Sequence, residues 1–195
     1  MTTGSSPWPR EAGPLLLRAP RVGDAEQVLR FRNDAGVNRF MVHTHVDPDD
    51  LRRDLVEAVT SPTDHSCVAE LAERDGEVVA IGFLELRRGS GQPRPAALEE
   101  ALIGYVVDPV HAGQGVGSAL ARGLLDAAFD LGARRVVAAC FADNPASVRI
   151  LEGLGMRRER HGVQALWHAE LGWVDEYEYA MLASERSVPR SRPLS

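Results

Sequence analysis

Gly113, Gly115 and Gly117 alternate along a turn between an apolar run and a long helix-periodic stretch. The run Ile103–Pro109 (IGYVVDP) reads as a buried strand that Asp108-Pro109 ends. Beyond the turn, Ala119, Leu120, Leu124, Ala127, Ala128 and Leu131 recur at helical spacing. The first N–H groups of a helix have no partner inside it, and glycines leave them uncovered. An anion can then reach those donors and the positive end of the helix dipole together. The unit has the form of a phosphate cradle, without the Lys-Ser/Thr pair of an ATP-type loop. The same glycines would also serve a tight turn and close packing, and the turn alone does not separate the two readings.

Other chemistries are weaker. Gly115-Val116-Gly117-Ser118-Ala119 is a partial dinucleotide-binding fit, with Asp143 where a ribose-binding acid would fall. That unit follows three other strands, however, and too little chain remains after Asp143 for a doubly wound sheet. His43, His45, His65, His111, His161 and His168 show no tight ligand spacing with the cysteines, so no metal is expected. Arg157, Arg158 and Arg160 read as a solvated strand face rather than a binding patch.

The elements that must position the turn are legible on both sides of it. Leu15–Arg18 is a short strand, and Asp24 with Gln27 has the form of a capping box opening a helix. Asp47-Pro48 starts a second helix, followed by Leu51, Leu55 and Val59. Cys67–Ala72 and Val78–Leu86 form a hairpin through Asp75-Gly76. Arg87–Ala97 is a long loop. After the central unit come a strand over Arg135–Phe141, a short helix from Asn144-Pro145 to Gly153, and strands around Arg157–Trp167 and Asp175–Leu182. The order β-α-α-β-β-β-α-β-α-β-β predicts an α+β sandwich, a mixed and largely antiparallel sheet of about seven strands with about four helices. Residues 14–183 form one domain, and Met1–Gly13 and Ser184–Ser195 read as flexible tails.

Composition narrows the setting. A formal net charge of −6 argues against a nucleic-acid partner. Cys67 and Cys140 lie in apolar runs and read as buried thiols of a reducing compartment. No apolar run approaches the ~20 residues of a membrane span and no leader pattern opens the chain. A cytoplasmic protein without a membrane partner is expected.

IGYVVDPVHAGQGVGSAL and NPASVRILEGLGM, with LLLRAPRVGDAEQVLRFRND before them and WVDEYEYAMLASE after, carry a resemblance. Together they resemble the GNAT superfamily of acyl-CoA-dependent N-acyltransferases, and within it the ribosomal-protein N-terminal acetyltransferases and their relatives. The family's turn opens with Gln or Arg where this chain has Ala112; Gly113, Gln114, Gly115, Val116 and Gly117 match. The resemblance implies that backbone amides from Ala112 through Ser118 grip the pyrophosphate of acetyl-CoA, Ala112 supplying its amide as well as a polar residue would. It also lays pantetheine along the edge at Tyr105, Val106 and Val107, splayed from Arg135–Phe141, with the Val107 N–H polarising the thioester carbonyl.

Further roles follow from the same resemblance. Asn144 and Ser147 would bond the cofactor, although Asn144 also reads as a helix cap. Many members carry a tyrosine farther along this helix where Ile150 and Leu151 stand here, so Ser147 becomes the candidate acid. Glu100 falls near where relatives carry a base, with Glu99 and Glu100 as two solvated glutamates ending a loop the plain alternative, and with Glu70 and Glu85 on neighbouring strands as rivals. The implied reaction moves acetyl from acetyl-CoA to a primary amine on a small molecule, peptide or protein N-terminus. An acyl-CoA-binding module without turnover is the other reading, and a homodimer is left open. Acceptor choice would lie in Arg32–Val46, the Arg87–Ala97 loop and the terminal hairpin.

Overall fold

The computed structural model describes residues 6–74, 76–89 and 99–186. Eight strands form one sheet: β1 (Arg10–Ala12), β2 (Leu15–Arg18), β3 (Cys67–Leu71), β4 (Val78–Arg87), β5 (Glu100–Val107), β6 (Arg135–Phe141), β7 (Arg157–His168) and β8 (Gly172–Leu182). Their order is β1-β2-β3-β4-β5-β6-β8-β7. Every neighbouring pair is antiparallel except β5 and β6. Among the described residues five α-helices accompany the sheet: α1 (Ala25–Arg32), α2 (Ala35–Asn38), α3 (Pro48–Thr60), α4 (Val116–Asp130) and α5 (Pro145–Gly153).

Strand alternation sorts the strands' apolar residues into two layers. Leu17, Leu84, Ile103, Val136 and Tyr179 face α4, whose Leu120, Leu124 and Ala128 are fully buried against them. On the opposite face Val68, Ile81 and Val106 pack beneath Val28 and Phe31 of α1 and Leu51 and Leu55 of α3. Gly123 lets α4 lie close to the first two strands: a Cβ there would clash with the Leu17 side chain and sit 3.1 Å from Ala12 Cβ. Gly123→Ala should therefore lower stability by about 1–3 kcal/mol through overpacking, read as a lowered urea midpoint. An unchanged midpoint would show that the interface gives way freely.

Several local expectations are corrected. The segment read as an N-terminal tail contributes β1, and Trp8 is buried under it, with its indole N–H donating to His65 O at 3.0 Å. At the other end, Ala183–Glu185 forms a 3-10 turn and Arg186 pairs with Asp126 and Asp130 of α4, while residues 187–195 of the tail reading lie outside the described residues, as do Met1–Ser5 and most of the Arg87–Ala97 loop. Asp47 does cap α3, accepting from the amides of Asp49 and Asp50. Asp24 makes no side-chain cap bond to α1. Its carboxylate instead takes two hydrogen bonds from the Arg18 guanidinium, both 2.8 Å. Gln27, freed from a capping box, bridges to Gly76 O and the Val78 amide.

Candidate active site

The single parallel pair opens the sheet. β5 and β6 are in register only over Glu100–Leu102 opposite Arg135–Val137. Beyond that, β5 stays bound to β4 through Val107, and β6 to β8 through Phe141, so the two half-sheets diverge. Asp108 N–H donates to Val79 O on the β4 side (2.9 Å). Alternation then turns the N–H and C=O of Val107, and of Tyr105 two residues earlier, toward the open side. A cavity of about 670 Å³ occupies the opening, walled by Ile103–Val107, Ala138–Phe141 and the first turns of α5. Phe40, Met41, Val42 and His43 close it from the α1–α3 side, and Ala112, Gly113 and Gly117 stand at one end.

That end is the glycine turn. Gly115 caps α4 in the left-handed region (φ 84°), where a side chain is strained. The helix ladder begins with Ala119 N–H to Gly115 C=O (3.0 Å), so Val116, Gly117 and Ser118 have amides without helical partners. A Cβ on Gly117 would lie 3.0 Å from Ile150 Cδ1 and 3.5 Å from Val107 Cγ2, so glycine there permits the close meeting of α4, α5 and β5. Ala112 differs from the expectation. Its amide donates to Pro109 O (3.0 Å) in a 3-10 turn and is already committed. Gln114 folds its side-chain amide back onto Val110 O.

The other side-chain candidates divide. Asn144 and Ser147 both line the cavity, and Asn144 Oδ1 accepts from the Ser147 amide (3.1 Å), so Asn144 is a cap that also faces the opening. Tyr105 lines it too, and its phenol is pushed up to about 12 by burial. Cys140 lines it as a half-buried thiol, and burial, with Glu176 and Glu152 nearby, raises it to about 11. Cys67 lies elsewhere, fully buried, and desolvation likewise raises its thiol.

The base expected at Glu100 is not brought to the cavity. Its carboxylate is clamped between Arg87 (2.8 Å) and Arg135 (3.0 Å), at the end of β5 where the sheet is still closed. Glu70 is spent in a buried ion pair with Arg18 at 2.6 Å. Glu85 is exposed and lines a second hollow of about 590 Å³ with Asp64, which meets the first at Phe83, Ile103, Gly104 and Ala139. Four proton acceptors at the larger cavity were not read as bases: Glu176, ion-paired with Arg160, the exposed His43, Asp34, which caps α2, and His111, beside Glu77. Only the closing strand's place in the resemblance hinted at Glu176, and His43 drew notice solely as a metal ligand. Among the described residues no three His, Cys, Asp or Glu side chains gather as a metal would require. No helix among them is long and apolar enough to cross a membrane.

Comparison with known proteins matches this geometry. The acetyltransferase (GNAT) domain family matches residues 14–157. The L-2,4-diaminobutyric acid acetyltransferase of Nocardia farcinica is 30% identical over 156 residues, covering 78% of this chain and 71% of that protein. An uncharacterized N-acetyltransferase, YnaD of Bacillus subtilis, is 33% identical over 84 residues; the match spans 43% of this chain and 49% of YnaD, about half its length. Among solved structures, Mycobacterium smegmatis RimJ in complex with CoA-disulfide superposes with a TM-score of 0.77 at 24% identity, over 95% of this chain and 92% of that one. With the split sheet, the glycine turn and the family match in agreement, the chain belongs to the GNAT acetyltransferases, which take an acyl group from coenzyme A.

Proposed function

We propose that this chain moves the acetyl group of acetyl-CoA directly to a primary amine within a ternary complex. The observation that carries the reading is the open edge of β5, with unpaired backbone groups at Tyr105 and Val107 leading to the free amides of Val116–Ser118. Such an edge accepts an amide-bearing chain as it would a strand, and the helix start accepts a diphosphate. When bound, acetyl-CoA supplies an activated acyl carbonyl. The Val107 N–H, turned into the cavity, is placed to polarise that carbonyl and to stabilise the oxyanion that forms on it. Asn144 and Ser147 hold the cofactor from the α5 side.

The acceptor reaches the thioester from the face that carries Glu85 and Asp64, where negative charge suits a cationic amine. A small diamino compound or a peptide N-terminus fits that description, and the name of the Nocardia farcinica relative supports the former. Release of thiol from acetyl-CoA, followed across a library of amines, tests the assignment. Binding of acetyl-CoA without thiol release for any amine would leave a binding module instead.

The proton leaves through the cavity wall rather than through Glu100. The acid limb of the pH–rate profile should shift in Glu176→Gln or in His43→Gln, and stay in place in Glu100→Gln, Glu70→Gln and Glu85→Gln. A shift confined to Glu100→Gln would restore the base that the geometry removes.

A further inference from the structure

Arg32 is a charge where a core residue belongs. On α1 it continues the buried stripe of Ala25 and Val28 by one turn, and it is 6% exposed. Among the described residues no carboxylate pairs with it, and burial pulls the guanidinium below its ordinary value. Buried charges normally have a partner of opposite sign. The last turn of α1 offsets part of the cost, since a cation suits the negative end of a helix dipole. Both side-chain hydrogen bonds go to the segment that walls the larger cavity. Nη1 donates to Asn38 Oδ1 (2.9 Å) and Nη2 to His43 O (2.8 Å), at the end of the Phe40–His43 wall.

The same segment is tied to the far half of the sheet. His168, at the end of β7, is fully buried, and its Nδ1 accepts from the amides of Glu170 (3.2 Å) and Leu171 (3.1 Å). Nδ1 therefore carries the lone pair, and Nε2–H donates to Asn38 O at 3.1 Å. Arg32, Asn38 and His168 thus link α1, which packs on the β1–β5 half, to the β6–β8 half. Asn33 pins the segment farther on by exchanging two hydrogen bonds with the Val46 backbone (3.0 and 2.9 Å). By alternation Phe83 and Gly104 share the face of Ile81 and Val106, which α1 covers. The second hollow, on the acceptor's approach, therefore opens on the side that this wall overlooks.

We propose that Arg32 is a positioning residue for amine transfer, holding the Phe40–His43 wall where the acceptor docks. This rests on the acetyl-transfer reading above and adds to it a determinant of acceptor binding. Arg32 acts through Asn38 and His43 rather than by touching a substrate. Its bond is to the main chain of His43, so His43→Gln leaves it intact and separates this role from that of the imidazole.

Arg32→Met keeps the bulk and removes both donors. Hydrogen exchange read by mass spectrometry should speed up over residues 39–46 and stay unchanged over α4. The acceptor KM is taken on putrescine or, if that is idle, on a short serine-led peptide. It should rise about tenfold with a smaller change in kcat, as a displaced docking wall requires. Calorimetry should give a Kd for acetyl-CoA within about twofold of wild type, since the glycine turn and the β5 edge are untouched. Gly123→Ala, which lowers stability elsewhere, should leave the acceptor KM alone. If Arg32→Met does not fold, Asn38→Ala removes only the side-chain acceptor, keeps the main-chain bond to His168, and should raise the KM more mildly. An acceptor KM unchanged in the folded variants, or an acetyl-CoA Kd that worsens in step with it, would make Arg32 structural and overturn the assignment. Wild-type protein that neither binds acetyl-CoA nor releases thiol with any amine would sink the transferase reading and this role with it. An active wild type matched by Arg32→Met in acceptor KM would sink the role of Arg32 alone.

Discussion

Gly117→Val should cost about tenfold to a hundredfold in acetyl-CoA affinity, the size of losing one charge-assisted hydrogen bond to a phosphate. The new Cβ would already press on Ile150 Cδ1 at 3.0 Å, and the two methyls would reach farther. Relief requires the first turn of α4 to move from α5 and β5, carrying the free amides of Val116 and Ser118 out of place. Gly115→Val acts differently: it meets no neighbour within 4 Å but must hold φ at 84°, a left-handed conformation costing about 1–2 kcal/mol. Ala112→Gln should change little, because that amide is bonded to Pro109 O whatever the side chain. Calorimetry on the three variants, each checked for a folded circular-dichroism spectrum, decides the matter. Undiminished affinity in both glycine variants would take the turn out of the site.

The largest stability effect should come from Arg18→Ala. Arg18, Asp24 and Glu70 are 8%, 4% and 6% exposed, and the guanidinium bonds both carboxylates. Removing it leaves two carboxylates close together out of water, at a cost of about 3–5 kcal/mol at neutral pH. Burial alone would raise Asp24, but hydrogen bonds from the Arg18 guanidinium and the Arg21 amide outweigh it and hold it below the usual range. A carboxylate depressed in the folded state stabilises fully above its unfolded value, near about 3.9, and loses that contribution as pH falls through the folded value. The gap between wild type and Arg18→Ala should therefore be wide at pH 7 and narrow on acidification. Urea unfolding across that range measures it, and a gap independent of pH would show that packing rather than charge carries the triad. Glu70→Gln, which keeps an oxygen toward Arg18, should be milder and leave the pH–rate profile alone.

What the sequence makes legible is local. Asp47 ahead of Pro48 fixed a helix start, Asp75-Gly76 marked a hairpin, and the spacing of Leu120, Leu124 and Ala128 marked the buried stripe of α4. These depend on neighbours within a turn or two. What escaped depends on partners far along the chain. Asp24 looked like a cap until Arg18, itself tied to Glu70, claimed it. Glu100 looked available until Arg135, on the strand across the closed end of the sheet, did the same. β1 offered no alternation in Arg10-Glu11-Ala12 and is a strand because β2 pairs with it and α4 covers it. The glycine turn was found by type and spacing, but the commitment of the Ala112 amide appears only once the Pro109 turn is drawn. The cavity wall at Phe40–His43 follows from how one loop folds over the opening, which no short pattern encodes.

The three-residue seam between β5 and β6 has a consequence for the molecule as a whole. Among the described residues, backbone pairing between these strands holds the β1–β5 half and the β6–β8 half together beside Glu99–Leu102; farther along, α4 and the core beneath it do that work. On the reading proposed above, a cofactor lying in the opening would be a guest strand, meeting the backbone of one half and the α5 side chains of the other. It would mend the sheet as it binds. Ligand occupancy and mechanical integrity would then become one variable: each molecule of cofactor held would also be a brace across this seam, and the saturated protein should open less readily along it than the empty one.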